Sequence, residues 1–395
     1  MRILFCNYEY PPLGGGGGVI NALLAEELAG RHDVTVLTSQ GLELPRESLE
    51  NGVRIIRTPV FFRRQLAAAN IPSLLAYIPM GIMAGRSIIG RESFDIINTH
   101  FVIPSGPVGH NLSKISTVPN ILSVHGGDLY DPSKWTSPHR HALLRMWIRG
   151  LLRKADHVVG QSKNTIQNVH KYYDSSVEVS RIPLGIKRPP NIEASRQSYG
   201  FSTDDVLFVT VGRLVGRKAV DQLIHNLHEL SNPKIHLLII GDGPHLPALK
   251  QLAMQLGFAE KIHFYGFVDE VEKFRLLSIA DIFATTSQHE GFGLVFLEAM
   301  AAGLPVICYD YGGQTDFLSE GVNGHLISLN DTANFKERCL ELAQNNALRI
   351  KMGEFNRSAV EEFFIDRCAK KYETIFTEVI ENKRLGAKFG YTSRT

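Results

Sequence analysis

The stretch HEGFGLVFLEAMAAGLPVICYDYGG sets two carboxylates, Glu290 and Glu298, with seven residues between them and Gly-Phe-Gly behind the first. On one continuous helix they would stand about 12 Å apart along the axis. That exceeds the roughly 5–9.5 Å of two carboxyl groups sharing acid/base work on one glycosidic bond. The glycines instead keep Glu290 in a loop and start the helix after it, so the two carboxylates address different parts of one extended ligand. At that helix start the N–H groups of Phe292, Gly293 and Leu294 would point at an anion.

VTVGRLVGRKAVDQLI places Arg213 and Lys218 between a strand and the next helix. A planar guanidinium fork and a point-like ammonium together suit a diphosphate. LLIIGDGP adds a strand-end turn at Gly241 and Gly243, and FYGFV adds Gly266, Phe267 and Val268 at another strand end. All four groups fall at carboxyl ends of successive strands, where they could converge on a nucleotide diphosphate.

The elements that must hold these residues are legible as alternation. Short apolar runs such as RILFCNY, DVTVLTS, VRIIRTP, FDIINTH and NILSVHG are separated by helical stretches, and a second series runs from VLFVTVG through IHLLIIG and DIFATTS to GHLISL. Continuous apolar strands between helices mean parallel sheets covered on both faces, so the chain reads as two doubly wound α/β domains. PLGIKRPPNIEASRQSYG, about Pro183 to Gly200, reads as the linker. Ligands of open α/β sheets sit at the carboxyl ends of strands, which puts the chemistry in a deep cleft between the two domains.

Five consecutive glycines, Gly14 to Gly18, precede the first helix. A dinucleotide fingerprint needs its glycines directly after the strand and an acidic residue about 20 residues on. Here EYPPL intervenes and the second strand ends in Thr38-Ser39-Gln40. A Walker loop needs Gly-Lys-Ser/Thr, and Val19-Ile20 follow instead. What remains is a helix N-terminus with accessible N–H groups, a general anion site.

At 395 residues, with 44% hydrophobic and 21% charged residues, the composition is that of a globular two-domain protein. No apolar run of membrane-spanning length and no secretory leader is read. Cys6, Cys308, Cys339 and Cys368 form no CxxC pair and read as reduced cytoplasmic thiols. His139-Arg-His141 has no third ligand at helical spacing and reads as a polar helix face. Residues 1–195 carry 21 Lys and Arg against 15 Asp and Glu, a basic half beside an acidic one that hints at an anionic partner. No basic stripe interleaved with aromatics supports nucleic-acid binding.

Glu290 to Val306 stands as Glu, seven residues, Glu, then A-x-A-x-G-x-P-V, and with the other motifs in order it resembles the retaining nucleotide-sugar glycosyltransferases of family four. The resemblance covers nearly the whole chain. It implies the GT-B fold, an α/β architecture of two Rossmann-like domains facing across a deep cleft. The expected bounds are 1–185 for the acceptor domain, with a helix at about 365–382 packing back on it, and 186–364 for the donor domain. It implies that Arg213 and Lys218 neutralise the donor diphosphate, that Glu298 binds the ribose and that Glu290 contacts the sugar. Gly266, Phe267 and Val268 would hold the base, with Gly16, Gly17 and Gly243 also at the donor. His125, in SVHGGD, would lie near the reacting sugar, and His100 and Asp128 are weaker acceptor candidates. The implied reaction moves a hexose with retention from a UDP- or GDP-sugar, UDP favoured, to a hydroxyl of a glycan or lipid-linked acceptor, without a cofactor. No D-x-D occurs, which disfavours a metal-bridged diphosphate. A small soluble acceptor, a nucleotide-sugar epimerase and a non-catalytic nucleotide-sugar-binding protein are the alternatives.

The stretch from Val53 to Arg91 mixes Arg54, Arg57, Arg63, Arg64, Arg86 and Arg91 with Phe61, Phe62, Leu75, Tyr77 and Met80. Basic beside apolar residues suit a protein resting on an anionic bilayer, and the alternative is a core helix with a solvated loop. The basic first half tips the expectation to a cytoplasmic protein peripheral to such a membrane.

Overall fold

The computed structural model describes residues 1–41, 43–61, 63, 70–132 and 134–390, the side chains of 387–390 excepted. Phe62 and Arg64 of the arginine-rich stretch, and residues 391–395, lie outside the described residues. The chain divides into two units, Met1–Lys187 with the chain from Ile365 onward, and Arg188–Phe364.

In the first unit the order is β1 (Arg2–Asn7), α1 (Gly16–Ala29), β2 (Asp33–Gln40), β3 (Glu47–Glu50), β4 (Val53–Pro59), α2 (Ile71–Ile89), β5 (Ile96–His100), α3 (Ser105–Ser116), β6 (Asn120–Val124), α4 (Ala142–Lys154), β7 (His157–Gly160), α5 (Lys163–Tyr172) and β8 (Val179–Arg181). The sheet runs β3-β4-β2-β1-β5-β6-β7-β8. Its pairings are parallel except that of β3 with β4. The edge strand β3 was not expected, because ESLE carries no apolar run. Its signal is Asn51-Gly52, both at positive φ (49° and 80°), the primed turn that closes two-residue hairpins.

The second unit runs β9 (Val206–Val211), α6 (Val220–His228), β10 (Ile235–Ile240), α7 (Leu246–Gln255), β11 (Ile262–Gly266), α8 (Glu270–Ile279), β12 (Ile282–Thr285), α9 (Leu294–Ala302), β13 (Val306–Tyr309), β14 (Gly324–Ile327), α10 (Thr332–Gln344) and α11 (Asn346–Ala359). Its sheet is fully parallel, in the order β11-β10-β9-β12-β13-β14. The last helix, α12 (Ile365–Gly390), belongs to the first unit.

Strand alternation builds both faces of the first sheet. Ile3 and Phe5 join Leu24 and Leu28 of α1 and Tyr372 and Phe376 of α12, whereas Leu4 and Cys6 join Tyr77 of α2 and Leu112 of α3. At about 1.5–3 kcal/mol per large apolar side chain taken from water, Tyr372 and Phe376 alone make α12 part of that unit's stability. Among the described residues α2 is the one helix long and apolar enough to cross a membrane by length and composition, with mean hydropathy 1.2. Its Ser73, Tyr77, Gly81 and Gly85 are buried, and a Cβ at Gly85 would meet Leu112 at 2.5 Å, so α2 packs as a layer on α3.

Candidate functional site

In the second unit the strand order reverses at β9, between β10 and β12. The crevice beyond the carboxyl ends at such a switch point is where open α/β sheets take ligands. The chain leaves β9 through Gly212 and Arg213 and leaves β12 through Ser287 to Phe292. Beside them the β10 exit lies backbone to backbone on the β9 exit. A Cβ at Gly241 would fall 2.0 Å from the Gly212 carbonyl oxygen, and one at Gly243 2.3 Å from that of Leu214. The structure thus gives Gly243 a packing reason to be glycine.

Lys218 ends the short turn before α6 and donates from Nζ to Glu290 Oε1. Arg217 donates to the His289 carbonyl, and its Nη1 lies 3.6 Å from Glu290 Oε2. Burial alone would raise the Glu290 carboxyl, but the Lys218 and Arg217 charges overcome it and hold the group below the ordinary carboxylate range. The Arg213 side chain, by contrast, is exposed and makes no hydrogen bond or ion pair among the described residues. One cation is therefore neutralised internally, while another stands ready for an incoming anion. The Glu290 carbonyl accepts the Gly313 N–H at 2.9 Å, which ties this loop to the β13 exit.

Past Glu290, Phe292 is buried against Phe317, Gly293 caps α9 at φ 90°, and Leu294 is the first helical residue. Among the described residues the N–H groups of Phe292, Gly293 and Leu294 have no intramolecular acceptor, which leaves the donors that a helix start offers to an anion. Glu298, one turn on, pairs at 2.8 Å with Lys273 of α8. Burial pulls the Lys273 ammonium down, but the Glu298 charge and the hydrogen bonds of Glu270 and Glu298 carry it above its usual value. Burial likewise pushes the Glu298 carboxyl up against the pull of Lys273. At the end of β11 the Gly266 carbonyl accepts the Gly241 N–H at 2.7 Å, Phe267 is 87% exposed and Val268 half-buried. Sequence reasoning missed Arg217 and Lys273. Arg217 adjoins Lys218 and was within reach, whereas nothing in the sequence links Lys273 to a carboxylate 25 residues on.

The first unit reverses order at β1, between β2 and β5, and its candidates gather there. Gly16 begins α1, and a Cβ on it would meet open space. One on Gly17 would reach within 2.4 Å of the Phe101 ring. Phe101 sits just past β5 at φ 69° and stacks on His125 with ring centroids 4.4 Å apart. Such a backbone conformation is a genuine outlier for a bulky residue, so Phe101 is held there by its surroundings. No pattern in the sequence announced it.

His125 Nε2 lies 2.9 Å from His100 Nδ1, and His100 Nε2 lies 2.9 Å from Asn98 Nδ2. His100 is 1% exposed and stacked on Phe5. With both ring nitrogens engaged in the interior it cannot meet an acceptor, which corrects that expectation: His100 backs His125. Asp128 accepts the His125 N–H at 2.9 Å on Oδ1 and the Val102 N–H at 2.7 Å on Oδ2. Both of its oxygens brace the loop instead of standing open to an acceptor. His139 bonds Ser137 Oγ at 2.8 Å and packs at a tilt against the rings of Tyr130 and Tyr172, while His141 reaches the Trp135 carbonyl. The two do not share a ligand, and His139 lies half-buried in a short helical turn, Pro138–Arg140. Among the described residues no three His, Cys, Asp or Glu side chains gather as a metal site requires.

This buried ladder makes stability depend on pH. Burial holds His125 down at about 4, and His100 well below its usual value as well. An unfolded chain protonates both near pH 6.5, so it binds more protons than the fold does, and stability falls as pH drops from 6.5 towards 4. Asp128, raised by burial to about 6, offsets one of those two protons. These three groups together contribute a net slope of about 1.4 kcal/mol per pH unit between about pH 6 and 4. In chemical denaturation read between pH 7 and 4.5, His100→Asn is expected to flatten this slope relative to wild type. An unchanged slope would place the dependence elsewhere.

The family model for Glycosyltransferase Family 4 matches residues 14–188, and that for Glycosyl transferases group 1 matches residues 191–359. The chain is 25% identical over 395 residues to the N-acetyl-alpha-D-glucosaminyl L-malate synthase of Bacillus anthracis, covering 95% of this chain and 97% of the relative. It is 25% identical to the alpha-monoglucosyldiacylglycerol synthase of Acholeplasma laidlawii, over 98% and 100% of the two chains. EpsD of Bacillus subtilis (strain 168), assigned as a glycosyltransferase, is 30% identical over 75% of this chain and 80% of its own. Among solved structures, the sucrose-phosphate synthase of Thermosynechococcus elongatus shares the fold with a TM-score of 0.84 at 20% identity, over 97% and 100% of the chains. HepE of Anabaena in complex with UDP does so at 0.76 and 20% identity, over 96% and 100%. The fold of these neighbours is GT-B. With both models matched in succession and EpsD alike over most of its length, the chain belongs to glycosyltransferase family 4 and is a glycosyltransferase.

Proposed function

We propose that the second unit holds a nucleotide-sugar donor, UDP-linked in preference to GDP-linked, and that a hexose passes with retention and without a metal to a hydroxyl of a glycan or lipid-linked acceptor. The observation that carries this reading is the cation set at the β9–β12 switch point, where Arg213 stands free and Lys218 and Arg217 hold the buried Glu290 carboxylate. Arg213, Lys218 and the free N–H groups of Phe292, Gly293 and Leu294 can stabilise the charge that develops on a departing diphosphate. Glu290 contacts the sugar, Glu298 the ribose, and Gly266 with Phe267 and Val268 the base. The acceptor oxygen attacks the anomeric carbon from the face the diphosphate leaves, its proton passes to the departing diphosphate oxygen, and the old glycosidic bond breaks as the new one forms.

Support for a lipid-linked acceptor comes from the Acholeplasma relative, whose name gives a glucosylated diacylglycerol. Support for UDP comes from the complex of HepE. The four buried cysteines, none in a disulfide, fit a reducing cytoplasm. The test is a panel of UDP- and GDP-hexoses with chelator present, following donor cleavage and the product anomer by proton NMR. Cleavage of a UDP-sugar with retained configuration is expected. An inverted product, rescue only by added divalent metal, or no cleavage of any nucleotide sugar would each overturn the corresponding part.

A further inference from the structure

Helix α4 is apolar on two opposite faces. Ile148, Leu151 and Leu152 are buried against Val102, Leu122 and Leu129. At about 100° per residue, Leu143, Met146 and Trp147 project from the other side, and they are 77%, 66% and 39% exposed. Trp135, in the loop leading into the helix, is 76% exposed. Trp135 and Trp147 are the only two tryptophans of the chain, and Trp135 meets His141, the N-cap of α4, edge-on with ring centroids 5.1 Å apart.

The charge of the same stretch is one-sided. From Lys134 to Lys154 stand six Lys and Arg residues and no Asp or Glu. Lys134 pairs with Asp131 and Arg153 with Asp174. Arg140 and Arg149 donate only to the carbonyls of Pro132 and Tyr173, and neither these two nor Arg145 and Lys154 have a carboxylate partner among the described residues. An exposed apolar strip flanked by unpaired cations, with tryptophans at its rim, matches the boundary between anionic headgroups and acyl chains. A second copy of the chain would instead bring cations against cations. In the stretch around α2, where the sequence suggested such a surface, three of the cations are engaged, whereas Arg86 and Arg91 are exposed with no carboxylate partner among the described residues. Arg54 pairs with Glu47 and Glu92, Arg57 is buried with Glu50, and Arg63 is buried over the Tyr8 ring.

We propose that α4 and Trp135 form a docking face for an anionic bilayer, with Leu143, Met146 and Trp147 entering the acyl boundary and the arginines meeting headgroups. The docking is independent of the reaction assigned above. Its consequence, that an acceptor arriving in the bilayer is delivered to the loop between His125 and Trp135, rests on that assignment.

The two tryptophans are their own probe. The full chain is titrated, with no donor or acceptor present, with phosphatidylcholine vesicles with and without phosphatidylglycerol, and the intrinsic fluorescence is read. A blue shift with anionic vesicles is expected, together with quenching by brominated acyl chains. Apparent partitioning should drop about tenfold or more at 0.5 M salt. It should fall by a similar factor in Leu143→Ser/Met146→Ser, two exposed positions whose fold is checked by circular dichroism. No shift with anionic vesicles at low salt would overturn the proposal. So would undiminished binding of the double variant, or concentration-dependent dimerisation that shields the tryptophans without lipid. Because no glycosyl transfer is measured, failure here and failure of the enzymatic reading are separate results.

Discussion

Replacing Lys218 with Ala is expected to lower kcat/KM for glycosyl transfer by about 10²–10³-fold, the usual cost of removing one preorganised donor from a developing oxyanion. The structure adds a complication that the sequence did not show. Lys218 is the hydrogen-bond partner of Glu290, whose side chain is 10% exposed. Removing one member of a buried ion pair leaves an uncompensated charge and costs about 3–5 kcal/mol. Arg217 at 3.6 Å reduces that cost but cannot replace the direct bond. Lost activity in Lys218→Ala alone would therefore mix chemistry with folding. The companion variant Lys218→Met/Glu290→Gln removes the orphaned charge and is expected to regain most of the stability while transfer stays low. Stability is read by thermal denaturation and transfer by product formation. Near-wild-type transfer in either folded variant would remove Lys218 from the diphosphate role.

Much of the architecture was legible because buried parallel strands are written as continuous apolar runs. VLFVTV and IHLLII read directly as β9 and β10. The polar strand β3 escaped because a solvent-facing edge needs no apolar run, and only its Asn-Gly turn marks it. Candidate site residues were legible as types at strand ends, since strand-end position is a property of local sequence. Which side chains pair was not. His100 and His125 meet because β5 and β6 are neighbours with His100 opposite Ser123, a register set by tertiary packing. The Lys273–Glu298 pair joins two helices whose approach no spacing rule fixes. The glycine run shows the same division. Its position before α1 follows from sequence, but only the structure separates Gly16, open to an approaching group, from Gly17, closed by Phe101.

The electrostatics of the two carboxylates also diverge in a way the shared motif conceals. Glu290 is held ionised by two cations, whereas burial outweighs the single cation beside Glu298 and pushes its carboxyl up. Two acids in such different surroundings suit the different tasks proposed for them above: a group that stays charged for the sugar and diphosphate, and a tunable acceptor for hydroxyl groups.

That dependence makes Lys273→Ala the second large effect expected. Lys273 is itself 8% exposed and is the one basic partner of Glu298 among the described residues. Without it the Glu298 carboxyl, already raised by burial, moves further up, and its protonation removes acceptor capacity from the ribose contact proposed above. A buried carboxylate stripped of its cation costs about 3–5 kcal/mol, or relieves that cost by protonation, and either route weakens donor binding. The expected result is a rise of about tenfold or more in KM for the donor with a smaller change in kcat, since a ground-state contact distant from the reacting bond is uniform binding. The penalty should grow as pH falls, because protonation of Glu298 removes the charge that Lys273 preserves. Lys273→Arg keeps the cation and is expected to restore most of the affinity, which a purely structural loss of packing would not predict. Glu298→Gln should raise KM like Lys273→Ala but without its pH dependence. A fall confined to kcat in Lys273→Ala, with donor KM unchanged, would separate Glu298 from the ribose and place it nearer the chemistry.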